Sequence, residues 1–396
     1  MINKASWERV RFGDVIESLN KTTKHFPNES LEALVALDDM DSGELHISRW
    51  SKPNLETSFS KIFREGQTLF AKRRAYQKKI AVAHLDGICS GDILVFDSKN
   101  PQRLQQNLIP FTCMTEDFYR FVEANSQGSL SPRVSMSALN KYKFLLPPID
   151  EQEHIAEVLW AVDIASQKYV NVLDSTHSLR NSLEAKYFVS YGANRDEMYV
   201  PQGWTLGYLS DLVQINPPVT NNLTCKYASF VSMDMIDTYG KITNPQTVAF
   251  NNHRKGYTYF EDGDILFAKI TPCMENGKGA IARELVNGIA LGSTEFYVMR
   301  PLNIYDTDYI FALIMSRIYR HGARHWMQGS AGQKRVPRDF FTKSVIRIPP
   351  IDERIYIGEV FTALFNSIEK AEQSIISSKR MLHDLINKFF SCGGAN

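Results

Sequence analysis

The strongest constraint on what this chain can fold into is a segment that occurs twice. Leu-Pro-Pro-Ile-Asp-Glu-Gln at residues 146–152 returns as Ile-Pro-Pro-Ile-Asp-Glu-Arg at residues 348–354, 202 positions later in a chain of 396 residues. The prolines can continue neither a strand ladder nor a preceding helix, so each copy predicts a strand that stops. Asp150 and Asp352 then stand where an N-cap carboxylate accepts from the free amides of a first helical turn, and Glu153 completes a capping box in the first copy.

Behind both copies, one position recurs at steps of four and three. The first register runs Ile155, Leu159, Val162, Ser166, Tyr169, Leu173, Thr176, Arg180, Leu183 and Tyr187. The second runs Ile357, Phe361, Leu364, Ile368, Ala371, Ile375, Ser378, Leu382, Leu385 and Phe389, again 202 positions on. A seam sustained over more than about four heptads predicts a coiled-coil pair rather than two surface helices. Gly192 and Gly393-Gly394 supply the stops. If the two helices pair within the chain they run antiparallel, and at about 1.5 Å per residue they form a spacer of roughly 50 Å.

The repeat extends to the rest of the chain. Trp-Glu-Arg-Val-Arg-Phe-Gly-Asp at residues 7–14 is answered by Trp-Thr-Leu-Gly-Tyr-Leu-Ser-Asp at residues 204–211, and Phe-Arg-Glu-Gly-Gln-Thr-Leu-Phe-Ala-Lys at residues 63–72 by Phe-Glu-Asp-Gly-Asp-Ile-Leu-Phe-Ala-Lys at residues 260–269. Gly66 and Gly263 suit a turn before a buried strand. A hairpin is expected next in each half, residues 80–84 with 88–96 around Asp86-Gly87 and residues 280–283 with 289–299 around Asn287-Gly288. Helices over residues 107–125 and 309–327 follow, then a short return to the Pro-Pro segment. The fold class is therefore α/β (α+β): two similar globular α/β domains, 1–148 and 193–350, joined by a pair of long antiparallel coiled-coil helices, 149–192 and 351–392, as a pseudo-two-fold internal repeat.

With 43% hydrophobic and 22% charged residues, both halves can bury ordinary cores. The five cysteines, Cys89, Cys113, Cys225, Cys273 and Cys392, are scattered and odd in number, which argues for a reducing compartment and against a structural zinc or a disulfide framework. No signal-peptide core or membrane-length apolar run is present, so a cytoplasmic protein without membrane contact is expected. Net charge is +1, so a polyanion would have to be met by local clusters. Two exist. Lys61, Arg64, Lys72, Arg73, Arg74, Lys78 and Lys79 crowd into one stretch with Tyr76. In the second half Arg317, Arg320, Arg324, Lys334, Arg335 and Arg338 cluster with His321, His325 and Trp326, while Arg254, Lys255, Lys269 and Lys278 lie nearer the strand. Such patches suit phosphate positioning, with a few arginines reading guanine edges.

Catalytic signals are thin. Asn216-Pro217-Pro218-Val219 resembles the Asn-Pro-Pro-aromatic loop of amino-methyltransferases, but Val219 replaces the aromatic and no glycine-rich cofactor turn accompanies it. There is no Walker loop, Gly277-Lys278-Gly279 reads as a turn, and Glu184-Ala185-Lys186 reads as a solvated helix face. The histidines lack metal-ligand spacing with a carboxylate partner, so no metal or catalytic site is expected.

Duplicated halves, each closed by a (Leu/Ile)-Pro-Pro-Ile-Asp-Glu-(Gln/Arg) motif and a long helix, resemble over the whole chain the DNA specificity subunit of type I restriction-modification systems. The resemblance implies two target recognition domains that read the halves of a bipartite, asymmetric double-stranded DNA target. It also implies helices that space them and dock two methyltransferase subunits, with restriction/translocase subunits as further partners. S-adenosylmethionine, ATP and Mg would belong to those partners and no cofactor to this chain, which would not be an enzyme itself. The residues expected at DNA are Lys72, Arg73, Arg74, Lys78, Lys79 and Arg133 in one half and Lys269, Lys278, Lys334, Arg335 and Arg338 in the other, with Arg74, Arg133 and Arg335 as base readers. The seam residues expected to be buried are Leu159, Val162, Leu173, Leu183, Phe361, Leu364, Ile375, Leu382 and Leu385. Two other readings compete: a coiled-coil scaffold without DNA, and a self-sufficient methyltransferase, which would bind its cofactor alone.

Overall fold

The same three sheets are laid out in each half of the chain. The computed structural model describes residues 4–23, 30–54, 57–188, 198–219, 225–250, 256–330 and 332–390. Gly192, Gly393-Gly394, Cys392, His253, Arg254 and Lys255 lie outside the described residues.

In the first half a four-stranded sheet runs Ile16–Leu19, Ile93–Ser98, Thr68–Ala71, Ile80–Val82. Its counterpart in the second half runs Val213–Ile215, Phe296–Pro301, Ile265–Ala268, Gly279–Ile281, in the same order. The matched Leu-Phe-Ala segments are its fully buried strands. They enter through left-handed Gly66 (φ +83°) and Gly263 (φ +89°), a conformation glycine adopts without the Cβ penalty. A second sheet holds Ala33–Val35, Gly87–Cys89 and Lys61–Phe63 in one half. In the other it holds Tyr227–Val231, Ile289–Gly292 and Thr258–Glu261, with Gln246–Ala249 as an added edge. The third is a two-stranded ladder, Glu8–Arg11 with Lys143–Leu146 and Thr205–Tyr208 with Val345–Ile348, which brings the opening of each half beside its closing Pro-Pro segment.

The expected hairpins do not form. Ile80–Val82 stays in the first sheet, and the chain then turns at Asp86 so that Gly87–Cys89 joins the second. Gly279–Ile281 and Ile289–Gly292 part in the same way around Asn287-Gly288, both left-handed. An Asn-Gly or Asp-Gly signal specifies the turn, whereas the strand partners are chosen by burial on two different sheets. The expected single strands 88–96 and 289–299 are each two strands, broken at Ser90-Gly91-Asp92 and at Ser293-Thr294-Glu295. Ile93 donates its N–H to Ser90 O there, and Phe296 to Ser293 O.

The expected helices of residues 107–125 and 309–327 are broken as well. Thr115 and Ser316 act as N-caps, accepting from Phe118 and Tyr319, so Glu116–Ala124 and Arg317–Trp326 start afresh. The apolar pattern runs through the break because both pieces pack on one core, and a hydroxyl at the right position resets the axis.

The two long helices are Ile149–Tyr187 and Ile351–Phe390. Each begins one residue before its aspartate, so Asp150 and Asp352 lie inside the first turn, where a carboxylate favours the helix dipole, rather than at the N-cap. The residues beside them are tied down. Glu151 accepts from the Trp7 indole at 3.0 Å and Glu353 from the Trp204 indole at 2.9 Å. Fully buried Gln152 bonds Arg103 O, Pro147 O and Gln105 N, while Arg354 makes an ion pair with buried Asp306 at 3.0 Å.

The chain divides into two compact units, residues 1–169 with 374–396, and residues 170–373. In the first unit Ile155, Ala156 and Leu159 share a core with Leu382, Ile386 and Phe390, with Val162 and Leu385 packed against it. In the second, Leu183 and Tyr187 pack against a core that contains Ile357, Phe361 and Leu364. The start of each long helix thus lies with the end of the other, an antiparallel pairing. Leu173 and Ile375 are half-buried, and Tyr169 is 40% exposed, because the buried stripe drifts through Asp163, Ser166 and Ile386 instead of holding one heptad position.

Candidate nucleic-acid interface

In each half one arginine and one lysine of those expected at DNA are held at the Ser-x-acid turn that joins the second sheet to the first. Ser90 Oγ accepts from Asp92 N–H and Ser293 Oγ from Glu295 N–H, each at 3.2 Å. The carbonyl of the acidic residue accepts from the lysine that ends the buried strand, Lys72 N to Asp92 O at 3.0 Å and Lys269 N to Glu295 O at 2.9 Å. The lysine's own carbonyl receives Val134 N–H or Val336 N–H. Arg133 and Arg335, one residue earlier, are therefore fixed beside that turn, and each is also doubly bonded through its backbone to Gln127 or Gln328.

Both arginines fork onto the acid. Arg133 donates Nε–H to Asp92 Oδ1 at 2.9 Å and Nη2–H to Oδ2 at 3.3 Å. Arg335 donates Nε–H to Glu295 Oε2 at 3.0 Å and Nη2–H to Oε1 at 2.8 Å. Hydrogen bonding from the arginine is the main reason the Asp92 and Glu295 carboxyls are held below the usual carboxylate range, with Lys72 and Lys269 adding to it. The two arginine side chains remain about half exposed, at 48% and 44%.

The other basic residues have varied surroundings. Arg73 reaches Asp92 at 3.4 Å and Ser131 Oγ at 3.3 Å. Arg74 is left-handed (φ +53°) and exposed, and its side chain makes no hydrogen bond or ion pair with the described residues. Lys78 pairs with Glu116 at 2.8 Å and lies 5.1 Å from the Tyr119 ring centroid. Lys79 donates to Leu37 O at 2.8 Å and Lys278 to Met233 O at 2.7 Å, so both ammoniums are turned inward. Lys269 lies 5.3 Å from the Tyr297 ring centroid. Lys334 is exposed, with its backbone on Thr271, and Arg338 makes one long bond to Ile215 O at 3.4 Å. In the first half Lys61, Lys72, Gln127 and Arg133 line one groove.

The second basic cluster splits. Arg320 is buried, donates to Met274 O at 2.6 Å, and lies against the Phe267 ring; burial lowers its pKa to about 9. Arg317 bonds Asn181, and Arg324 pairs with Glu275. These residues line a cleft along the long helices, together with Arg180 and Phe365, apart from the Arg335 turn. Glu184 is buried rather than solvated: it accepts from Arg180 Nε at 2.8 Å and Arg317 N at 2.9 Å. Asn216 caps a strand, its Oδ1 accepting from Val298 N–H at 3.0 Å, and Val219 packs on a core cluster. Among the described residues no group of three His, Cys, Asp or Glu is placed to hold a metal ion, and no helix is long and apolar enough to cross a membrane.

Asp92 and Glu295 are the residues that sequence reasoning missed. Their signal was the Ser-x-acid triplet inside an apolar run, present in both halves at equivalent positions.

The chain matches the family described as Type I restriction modification DNA specificity domain over residues 4–171. It is 39% identical over 181 residues to the type I restriction enzyme EcoEI specificity subunit of Escherichia coli, covering 45% of this chain and 30% of that protein. To the EcoAI specificity subunit of the same organism it is 38% identical over 181 residues, covering 45% and 31%. The matched part thus spans less than a third of these relatives' length. The crystal structure of a type I restriction-modification system S subunit from M. genitalium shares the fold at a TM-score of 0.66 and 10% identity, covering 100% of this chain and 98% of that one.

Proposed function

We propose that this chain is a type I restriction-modification specificity subunit, the DNA-reading, non-catalytic subunit of such a complex. Each half reads one part of a two-part duplex target in the cytoplasm. Two methyltransferase subunits dock on the long helices, restriction/translocase subunits join them, and S-adenosylmethionine, ATP and Mg are bound by those partners. The observation that carries the reading is the duplicated arginine turn. In both halves a half-exposed arginine is fixed beside a lysine-ended strand, and the neighbouring Arg74, Lys334 and Arg338 are exposed and carry no counter-charge among the described residues. Phosphate contacts set register and base-edge contacts set sequence, and this arrangement offers both. Because the side chains around the two turns differ, the two half-sites differ.

The test is co-expression with a type I methyltransferase subunit in a methylation-free host, followed by mapping of N6-methyladenine by single-molecule sequencing. A two-part motif is expected. No modification from a complex that demonstrably assembles overturns the reading.

A further inference from the structure

We propose that Asp92 and Glu295 are positioning residues, each holding one arginine so that its free edge reads a guanine, one guanine in each half of the DNA target. The assignment rests on the DNA-reading function proposed above and adds to it a base and the residues that set it.

Both forks use the same edge of the guanidinium. Arg133 and Arg335 donate through Nε and Nη2, the side-on edge, to Asp92 and Glu295 respectively. A guanidinium has five N–H donors in a rigid plane, so this leaves its end-on pair, Nη1 and the outer hydrogen of Nη2. On Arg335 one further bond is made, a long one from Nη1 to Gln333 O at 3.4 Å. Guanine presents two acceptors, O6 and N7, in the major groove at the spacing of that end-on pair, which is the commonest specific arginine contact.

The acid is otherwise hard to account for in a basic patch. A half-exposed ion pair contributes little stability, and a carboxylate beside phosphates opposes binding. What it does supply is orientation. The acid sits in a Ser-capped turn bonded to the lysine strand, and the arginine on a segment bonded to the same lysine, so both ends of the fork stand on fixed backbone. The acid is one methylene longer in the second half and the fork is retained. Arg300 shows the contrasting case: it forks onto Asp264 through Nε and Nη2 at 2.7 Å and also pairs with Glu261 at 3.1 Å, so it has less donor capacity left for a ligand.

The experiment uses the assembled methyltransferase complex carrying Arg133→Ala, Arg133→Lys, Asp92→Asn, Asp92→Glu, Arg335→Ala or Glu295→Gln, with motifs mapped by methylation sequencing and thermal stability measured beside them. The wild-type motif should hold a G·C pair in each half. Arg133→Ala and Asp92→Asn should relax the same single position in one half by roughly 5- to 100-fold while the other half stays fixed. Arg335→Ala and Glu295→Gln should do so in the other half. Asp92→Glu should retain the preference and Arg133→Lys should not, since an ammonium cannot fork. A half-site without guanine overturns the proposal at once. If the arginine variants relax the motif and the amide variants leave it intact, the positioning role is wrong and the DNA reading stands. If the arginine variants also leave it intact, the guanine assignment fails. A wild-type complex that assembles and methylates nothing overturns instead the function on which the proposal rests.

Discussion

Gln67 and Asp264 occupy the same turn of the repeat and do the same local work with different chemistry. Gln67 Oε1 accepts from Arg64 N–H and Asp264 Oδ2 from Glu261 N–H, each at 2.8 Å. Across the sheet the partners have exchanged charge: Gln67 Nε2 donates to Asp97, while Asp264 accepts the Arg300 fork. The substitution stands out in the sequence as a break in the repeat, but its compensation lies 30 residues away in one half and 36 in the other, on another strand, and pattern alone does not reveal it. The energetics should differ. Asp264 is 1% exposed, so Asp264→Ala strands a partly buried arginine and a turn amide and should cost about 3 kcal/mol, the low end for a broken buried pair because Arg300 is only partly buried and keeps Glu261. Gln67→Ala removes one neutral acceptor and one neutral donor and should cost about 1–2 kcal/mol. Denaturant unfolding of both variants measures this, and equal losses would show that the charge exchange carries no energetic weight.

At the scale of elements, the sequence foretold the pieces better than their partners. The repeated Pro-Pro segment, the long helices and the buried Leu-Phe-Ala strands were legible because each is a local pattern. The Trp7–Glu151 and Trp204–Glu353 bonds were not, although all four residues stand in the repeated motifs, because nothing one-dimensional says that the two ends of a half meet. The seam was legible in period and not in depth. Leu159 is fully buried against the end of the second long helix, so Leu159→Ala should cost about 3 kcal/mol, whereas half-buried Leu173→Ala should cost about 1 kcal/mol; a thermal melt showing the reverse order would sink this account of the packing. The first long helix also carries a pH-sensitive tie. His46 bonds buried Asp163 at 2.6 Å, and that hydrogen bond raises the histidine pKa, with Glu44 adding to it against the desolvation. A raised folded pKa stabilises fully below the unfolded value of about 6.5 and is lost as pH climbs through the folded value. Stability should therefore decline upward from about pH 6.5, and Asp163→Asn should flatten that decline in melting temperature against pH. An unchanged slope would assign the decline elsewhere.

For the molecule as a whole, charge is nearly balanced, 45 lysines and arginines against 44 acids, so any DNA affinity must arise where basic groups lack acidic partners. The structure separates basic groups that look alike in the sequence. Lys78 is held by Glu116, and Lys79 and Lys278 are turned onto backbone carbonyls, whereas Arg74 and Lys334 are exposed and unpaired among the described residues and Arg338 makes a single long bond. Only a cation that reaches a phosphate displaces a counterion, and each such contact contributes about 0.9 to the slope of log affinity against log salt. Arg74→Ala, Lys334→Ala and Arg338→Ala should thus each flatten that slope by about one and weaken all sequences alike, leaving the methylated motif unchanged. Lys79→Ala and Lys278→Ala should lower stability more than they alter the slope, since each removes a bond that ties a loop to the sheet. Fluorescence anisotropy of the assembled complex on a labelled duplex, across a salt series, reads the difference directly. If the inward lysines flattened the slope as much as the exposed residues, they would have to swing out on binding, and the division between structural and phosphate-facing cations would have to be redrawn.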